Sequence, residues 1–425
     1  MKPLSPLSPE CIAASNSNHF SASPPLELSE DETLGILGVR QPEAEIPKMA
    51  FDNDLAIDLF IKKLAGDETD NSQLPLTLNI LVGGRYKMCQ LIGSGAYGNV
   101  YKTIDVKNEC LRAVKIIKTK HNETGKVAQI REVEVIWTLF RQNPESARKY
   151  IVHLHHVFTS HNHLLLAYEL LGPSVGRVLN ENRRQGFSLE QTREIGIQLV
   201  NAINFLHQLG IAHHDLKPDN IAFVNPAFDF DPVLQVNRMR NTDIRILDFG
   251  SAASSSETTA TKIATTRSYR SPEMGLDAIW NRDHREAENK SCFSPSSDVW
   301  SAACTLFEIF TGNLLFNCRN EIEKYFQYES FFGPLPVTFG LASMLSCFND
   351  QGRLKYDAST MSARRHVSQS SFREIGSVFQ ADQLFDLLSQ MLVIDVNERI
   401  TAREVLNNSF WTIAETPSGT SSTQD

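Results

Sequence analysis

Five short runs rich in β-branched and aromatic residues follow one another from about residue 85: YKMCQLIG, NVYKTIDV, LRAVKIIK, IVHLHHVF and HLLLAYELL. Each reads as a strand. Between the third and fourth, VAQIREVEVIWTLF sets its apolar residues at helical spacing. Longer helical patterns take over from about residue 188, as in LEQTREIGIQLVNAINFLHQLG, and no internal repeat is visible. Strands first and helices after predict an α+β chain, a small sheet lobe joined to a larger helical lobe.

The flanks differ in character. Residues 1–50 carry SPLSP and SASPP with too few aromatics to bury a core, so they read as disordered. Ser5, Ser8 and Ser23 each precede a proline and are candidate phosphorylation sites. A helix is expected at 52–65, capped by Asp52 or Asn53, with Phe51, Leu55 and Leu59 on one face and Gly66 at its end. After Trp411 the chain is again polar and rich in Thr and Ser. The expected layout is a tail over 1–80, a folded region, and a second tail over 412–425.

Charge changes this picture only at the N-terminus. The formal net charge is −9, but residues 1–80 hold 13 Asp/Glu against 5 Lys/Arg, a net of −8 that leaves −1 for the rest. The folded region is therefore close to neutral, and no direct nucleic-acid contact is expected of it. No apolar run approaches the ~18 residues of a membrane span, and no signal-peptide core is present. The seven cysteines, at 11, 89, 110, 292, 304, 318 and 347, include no CxxC pair. Neither a disulfide framework nor a zinc site is indicated, and an intracellular, reducing setting is expected, cytoplasm or nucleus.

Candidate chemistry begins at Gly93-Ser94-Gly95-Ala96-Tyr97-Gly98-Asn99-Val100, just after Ile92. A lone GxGxxG is weak evidence and also marks dinucleotide folds, where it opens a helix. Here it joins two strands, and its glycines allow the backbone to close over phosphate oxygens. Lys115 follows in the apolar strand Ala113-Val114-Lys115, where a lysine is costly unless paired. Glu132 and Glu134 are the candidate partners. Helix phase favours Glu132, which aligns with Ile136 and Leu139.

Next comes His213-His214-Asp215-Leu216-Lys217-Pro218-Asp219-Asn220, and 28 residues beyond Asn220 stands Asp248-Phe249-Gly250. Phosphoryl transfer needs metal ions against phosphate charge, a carboxylate for the attacking hydroxyl's proton, and rigid positioning. Asp215 suits the base and Lys217 the γ-phosphate, while Asn220 and Asp248 offer oxygen ligands to Mg2+. His213 reads as a core histidine held by backbone groups. The run His153, His155, His156, His161 and His163 spans a strand and turn, and reads as ordinary strand positions in preference to a metal site.

Together GSGAYGNV, AVK, HHDLKPDN, DFG, SPE, DVWS and Arg399 resemble the eukaryotic protein kinase domain over about residues 87–411. TTRSYRSPE with Arg270, and the long stretch between 317 and 383, resemble the CMGC group. ELLGPS, LDFGSA, TRSYRSPE, and GNLLF followed by FFGPLP resemble its LAMMER, or CDC-like, dual-specificity kinases. The resemblance implies a bilobal fold. An antiparallel-sheet N-lobe with one helix would cover 87–170, and a mainly helical C-lobe 171–411. A hairpin insert is expected at 224–243 and a CMGC-type insert at 317–383. Where the family reads EHLAMMERILG, this chain runs from Glu323 to Gly333 as EKYFQYESFFG, keeping only the Glu frame, the Gly and the length. DAIWNRDHREAENKSCFSPS also lengthens the path from Glu273 to Asp298, and the N-terminal tail is not Arg/Ser-rich.

The same resemblance implies ATP and Mg2+ as cofactors, with residue roles to match. Val100 and Ala113 roof the adenine, and Ala222 floors it where most kinases carry a larger aliphatic residue, which leaves either a roomier floor or a gap filled by a neighbouring side chain. Tyr168 is the gatekeeper closing the rear pocket, and Glu169 and Leu171 offer hinge backbone groups. Thr266 organises Asp215 and Lys217, Glu273 pairs with Arg399, and Asp298 receives catalytic-loop N–H groups. His214 stands where many kinases carry an arginine that grips a loop phosphate. Activity without phosphorylation of Ser254, Ser255, Ser256, Thr258 or Thr259 is therefore expected. The implied partners are protein substrates, Arg/Ser-rich ones among them, met by a monomeric catalytic domain away from membranes. The rival reading is a pseudokinase scaffold, which usually lacks the lysine, the base or the metal carboxylate; Lys115, Asp215, Asn220 and Asp248 are all present. A small-molecule kinase is disfavoured by the SPE loop and Arg399.

Overall fold

The structure, a computed structural model, describes residues 80–94, 98–117, 123–160, 163–255, 265–275, 294–337, 339–340, 347–355 and 367–412. The chain divides into two units, 1–44 and 45–425, and every described residue lies in the second. The helix expected at 52–65, the three Ser-Pro sites, Gly95, His161, Ser256, Thr258, Thr259 and residues 413–425 lie outside the described residues.

One antiparallel sheet contains β1 (Leu81–Val82), β2 (Tyr86–Ser94), β3 (Gly98–Asp105), β4 (Cys110–Ile117), β5 (Leu154–Ser160) and β6 (His163–Glu169), in the order β1-β2-β3-β4-β6-β5. β1 precedes the first run expected as a strand, because two residues are too few to show alternation. Strand alternation sorts the side chains onto two faces. Val114 and Ile116 of β4 join Leu165 and Ala167 of β6, with Val82, Tyr86, Met88 and Tyr101, in a core on one face. Ala113, Ile117, Leu166 and Tyr168 face the other way, against Val133, Ile136 and Leu139 of helix α1 (Glu123–Gln142). Lys115 shares the parity of Ala113 and Ile117. It therefore points toward α1.

After α2 (Pro144–Tyr150) the remainder is mainly helical: α3 (Val175–Glu181), α4 (Leu189–Gln208), α5 (Pro295–Thr311), α6 (Glu321–Phe332), α7 (Gln369–Val378), α8 (Asp382–Met391) and α9 (Ala402–Leu406). Ser188 caps α4 by accepting from the Gln191 N–H at 3.2 Å. Helix α5 is apolar around most of its girth and buried from Ser297 to Ile309, as a central core helix must be. Two short strand pairs hold the loops of interest. β7 (Ile211–Ala212) pairs with β12 (Ala253–Ser254), and β8 (Ile221–Phe223) with β11 (Ile244–Ile246). Between β8 and β11 a hairpin of β9 (Phe228–Asp231) and β10 (Val236–Met239) projects, tied to α3's end by two bonds between Asn182 and the Asn237 backbone.

Candidate active site

Residues 213–220 leave β7 and enter β8, while Leu247 and Asp248 leave β11 for β12. Antiparallel pairing of Ile246 with Ile221 therefore brings Asn220 and Asp248 to the same end of one ladder, where the Leu247 N–H donates to the Asn220 carbonyl at 2.9 Å. Asp215, mid-loop, has four donors. Its Oδ1 accepts from the Thr266 N–H at 2.8 Å and the Thr266 hydroxyl at 2.7 Å. Its Oδ2 accepts from Lys217 Nζ at 2.6 Å and Asn220 Nδ2 at 3.0 Å. Lys217 also donates to Thr266 Oγ1 at 2.6 Å. The three predicted catalytic residues form one network, with Asp215 only 9% exposed.

The second constellation lies between sheet and helix. Lys115 Nζ sits 2.6 Å from Glu132 Oε2 and 3.8 Å from Asp248 Oδ1. Helix phase thus selected the right glutamate: Glu132 is buried and Glu134 is exposed. Glu132's other oxygen is taken by the Tyr168 hydroxyl at 2.7 Å. Burial by itself would raise the Asp248 carboxyl, but Lys115, with His213 and Lys217 behind it, holds it below the usual carboxylate range. Asp248 occupies a left-handed conformation, φ 62°, which turns its side chain back toward Lys115.

The donor set fits a hard divalent cation. Asn220 Nδ2 is committed to the Asp215 carbonyl (2.8 Å) and carboxylate, so its Oδ1 is the atom left for a metal. The Asp248 side chain is 31% exposed and supplies a carboxylate beside it in the ladder. A Cβ at Gly98 would lie 2.4 Å from the Ile116 carbonyl, so the strand pairing itself requires glycine there. At Gly93 a Cβ would meet only Val100, at 3.7 Å, and packing places no such demand. On the strands flanking this loop Ile92 is exposed and Val100 is partly buried.

Around the expected nucleotide site, Ala113 and Ala222 are buried at 8% and 2%. Glu169 donates its N–H to the His153 carbonyl at 2.9 Å and accepts the His153 N–H on its side chain at 2.8 Å. Leu171 follows on the connecting segment, partly exposed.

A protein kinase domain family model matches residues 86–411. The chain belongs to the protein kinase family. It is 31% identical over 338 residues to Homo sapiens dual specificity protein kinase CLK2, covering 77% of this chain and 64% of that protein. It is 30% identical over 364 residues to Drosophila melanogaster serine/threonine-protein kinase Doa, covering 82% and 41%. The chain thus spans less than two thirds of the length of these curated relatives. A crystal structure of a kinase domain matches with a TM-score of 0.66 at 24% identity, over 80% of this chain and 99% of that one, a likeness of fold. The kinase fold and CDC-like resemblance read from the sequence are both borne out, and membership implies ATP and a divalent metal ion.

In the kinase domain the loop before Asp215 hangs on Asp298 of α5. Asp298 accepts the backbone N–H groups of His213 and His214, each at 2.8 Å, and lies 3.0 Å from His207 Nε2. Burial would raise this carboxyl, and the histidines overcome it, His207 foremost, bringing it down to about 2. His213 accepts the Asp215 N–H on Nδ1 and so presents Nε2–H to the Leu247 carbonyl at 2.9 Å, a structural histidine held by backbone. His153 stacks on Phe140 and meets His155 in a tilted contact, while His156 turns to the Tyr86 hydroxyl on the opposite face. Burial lowers the first two histidines to about 4 and about 3, as neutral packed rings. Among the described residues no group of three His, Cys, Asp or Glu could hold a metal, and no helix is long and apolar enough to cross a membrane.

Three partnerships carry no signal in the sequence. His207 on Asp298 joins positions 91 apart with no motif between them. Glu308 of α5, buried, accepts from both Arg184 and the Tyr269 hydroxyl. Lys324, Tyr325 and Tyr328 of α6 all donate to backbone carbonyls of the loop at Arg270 and Pro272. That last contact sits inside the stretch where the family motif is lost.

Proposed function

We propose that this chain transfers the γ-phosphoryl group of ATP to serine and threonine hydroxyls of proteins, and to tyrosine as a dual-specificity enzyme. The observation that carries the reading is the Asp215 network: one carboxylate bound by Lys217, Thr266 and Asn220, all at 3.0 Å or less. A carboxylate held in this way keeps a fixed position from which to accept a substrate hydroxyl's proton. Lys217, beside it, meets the charge that develops on the transferred group. Lys115, oriented by Glu132, grips phosphate oxygens under the glycine loop, in which Gly93, Gly95 and Gly98 let the backbone approach. Asn220 and Asp248 would hold Mg2+, which when bound neutralises phosphate charge. Val100, Ala113 and Ala222 would enclose the adenine, with Glu169 and Leu171 as its backbone partners.

His214 stands where many kinases carry an arginine, so a loop phosphate has no guanidinium fork to bind there, and the His214 backbone N–H donates to Asp298. The reading therefore includes activity without a loop phosphate. From the sequence resemblance we carry Arg/Ser-rich proteins as the substrate class, with nucleus or cytoplasm as the setting and a monomeric catalytic domain.

Transfer of labelled phosphate to an Arg/Ser peptide and to a generic basic protein tests this, with Asp248→Ala as control. Transfer to both is expected, strongest for the peptide, and loss of both in the control. Transfer to the generic protein alone would reject the substrate class. No transfer to either, with measurable Mg-ATP binding, would leave a scaffold.

A further inference from the structure

The Lys115–Glu132 pair has a third member that the kinase reading does not require. Tyr168 stands on β6 beside β4, and strand alternation points both Tyr168 and Lys115 at helix α1. Its position implied a ring closing the rear of the nucleotide site, and the ring is buried in the core beside α1. Its hydroxyl does something else. It donates to Glu132 Oε1 at 2.7 Å, while Lys115 takes Oε2 at 2.6 Å. Glu132 is 3% exposed and Tyr168 6%, so the tyrosine bond is buried, while Lys115 keeps some exposure. A buried carboxylate with one oxygen unmet is strongly disfavoured. The tyrosine meets that second oxygen, and it does so from the rigid sheet.

Helix α1 packs Val133, Ile136 and Leu139 against the sheet, and a second polar tie lies beside Glu132. Arg131 donates to the Ala252 carbonyl at 2.8 Å, just past the Asp248-Phe249-Gly250 turn. Together the two adjacent residues bind α1 to the sheet on one side and to the segment leading into residues 256–264 on the other. In a kinase whose His214 carries no guanidinium for a loop phosphate, the sheet side is a tether that needs no modification.

We propose that the Tyr168 hydroxyl is a positioning group that pins helix α1 through Glu132, so that the Lys115 clamp is assembled in the unphosphorylated protein. The proposal rests on the kinase reading for its consequence in turnover, and on geometry alone for the pin. A molecule with α1 displaced still binds nucleotide between the lobes but lacks an oriented lysine. Loss of the pin therefore lowers the fraction of competent molecules and with it kcat, and leaves the KM for ATP nearly unchanged. A residue that only filled the rear pocket would act the other way, on KM.

Tyr168→Phe in the full chain, phosphatase-treated, removes the hydroxyl and keeps the ring. Hydrogen exchange of apo protein over 123–142 is expected to accelerate about ten-fold, with β3 and α4 unchanged. In the transfer assay kcat is expected to fall about ten-fold with KM for ATP within about two-fold. Glu132→Gln, which keeps an oxygen for Tyr168 and loses the charge opposite Lys115, should lose turnover while 123–142 stays protected. Unchanged exchange over 123–142 in Tyr168→Phe would overturn the pin, as would acceleration spread equally over all elements, or a change in KM alone. Should the unaltered chain transfer no phosphate, the kinase reading fails while the exchange result still decides the pin.

Discussion

Two regions of the helical lobe flank the place where a peptide substrate would lie, and they are held by opposite kinds of acceptor. At Asp215 the acceptor is a carboxylate and the donors are side chains of set type: a lysine, a threonine and an asparagine amide. On the platform made by residues 265–275 the acceptors are largely backbone carbonyls. Arg270's carbonyl takes Tyr328 at 2.9 Å and Lys324 at 3.4 Å, and Pro272's takes Tyr325 at 3.0 Å. Where a charged group must handle a proton and phosphate, few residue types serve. A carbonyl accepts from any donor that reaches it. The cleft is therefore chemically strict, and the platform can change its residues while keeping its shape.

The comparison is broken most severely at the cleft. Asp215→Asn keeps the size and removes the basicity, and its NH2 group sets a donor against either the two Thr266 donors or Lys217 and Asn220. Phosphate transfer is expected to drop about 10³-fold, with nucleotide binding by calorimetry retained. Residual transfer within ten-fold of the unaltered protein would mean that Asp215 is not the base.

The platform's one strict point gives the next largest effect, in stability. Arg399 has a fully buried side chain, binds both Glu273 oxygens at 2.8 and 3.0 Å, donates to the Ser296 and Val393 carbonyls, and lies over the Trp300 ring. Arg399→Ala is expected to cost about 3–5 kcal/mol in denaturant unfolding, because it strands Glu273 and three helical-lobe contacts at once. Arg399→Lys should recover only part, since an ammonium cannot span both carboxylate oxygens. Full recovery would reduce the pair to simple charge.

Asp298 joins the two regions, since it anchors the cleft loop from the platform's central helix, and pH probes it. Its folded value of about 2 lies below the unfolded carboxyl, so its contribution is fully present above about pH 4 and is lost as pH falls through about 2. The shift corresponds to about 2 kcal/mol. Between pH 5 and 2 the unaltered protein should lose that much more stability than Asp298→Asn does. Parallel curves for the two would remove the linkage.

The same contrast explains what was legible in the sequence. Lys115, Asp215, Asn220 and Asp248 could be named because transfer chemistry fixes their types, and Glu132 because helical phase distinguishes it from Glu134. The long alternating strands and the α4 pattern were visible through periodicity. β1, two residues long, had no period to show, and Val82 enters the core only through pairing with β2. His207 was silent because its bond to Asp298 depends on α4 and α5 packing side by side. The Tyr168 hydroxyl was silent too: its position named the ring, and only the packing of α1 on the sheet gave the oxygen a partner.

The smallest expected effect lies in the stretch that departs from EHLAMMERILG. Leu and Met, the family's residues at 325 and 328, have no hydrogen-bond donor, whereas the tyrosines here reach Pro272 and Arg270 through their hydroxyls. Phenylalanine keeps the ring packing, on Trp300 and Phe316 at position 328 and on Phe339 and Phe348 at position 325, and deletes one donor to a loop carbonyl. Each change should cost about 1 kcal/mol. At Tyr328 the remaining Lys324 contact softens the loss, so Tyr325→Phe should be the larger of the two. If α6 positions the substrate platform, that cost appears as a roughly five-fold rise in KM for protein substrate with KM for ATP unchanged. If it only packs the lobe, the cost appears in unfolding and both KM values stay put. The double variant sharpens the choice: donors to neighbouring carbonyls of one loop should combine more than additively on the substrate KM, since either alone still holds the segment in place.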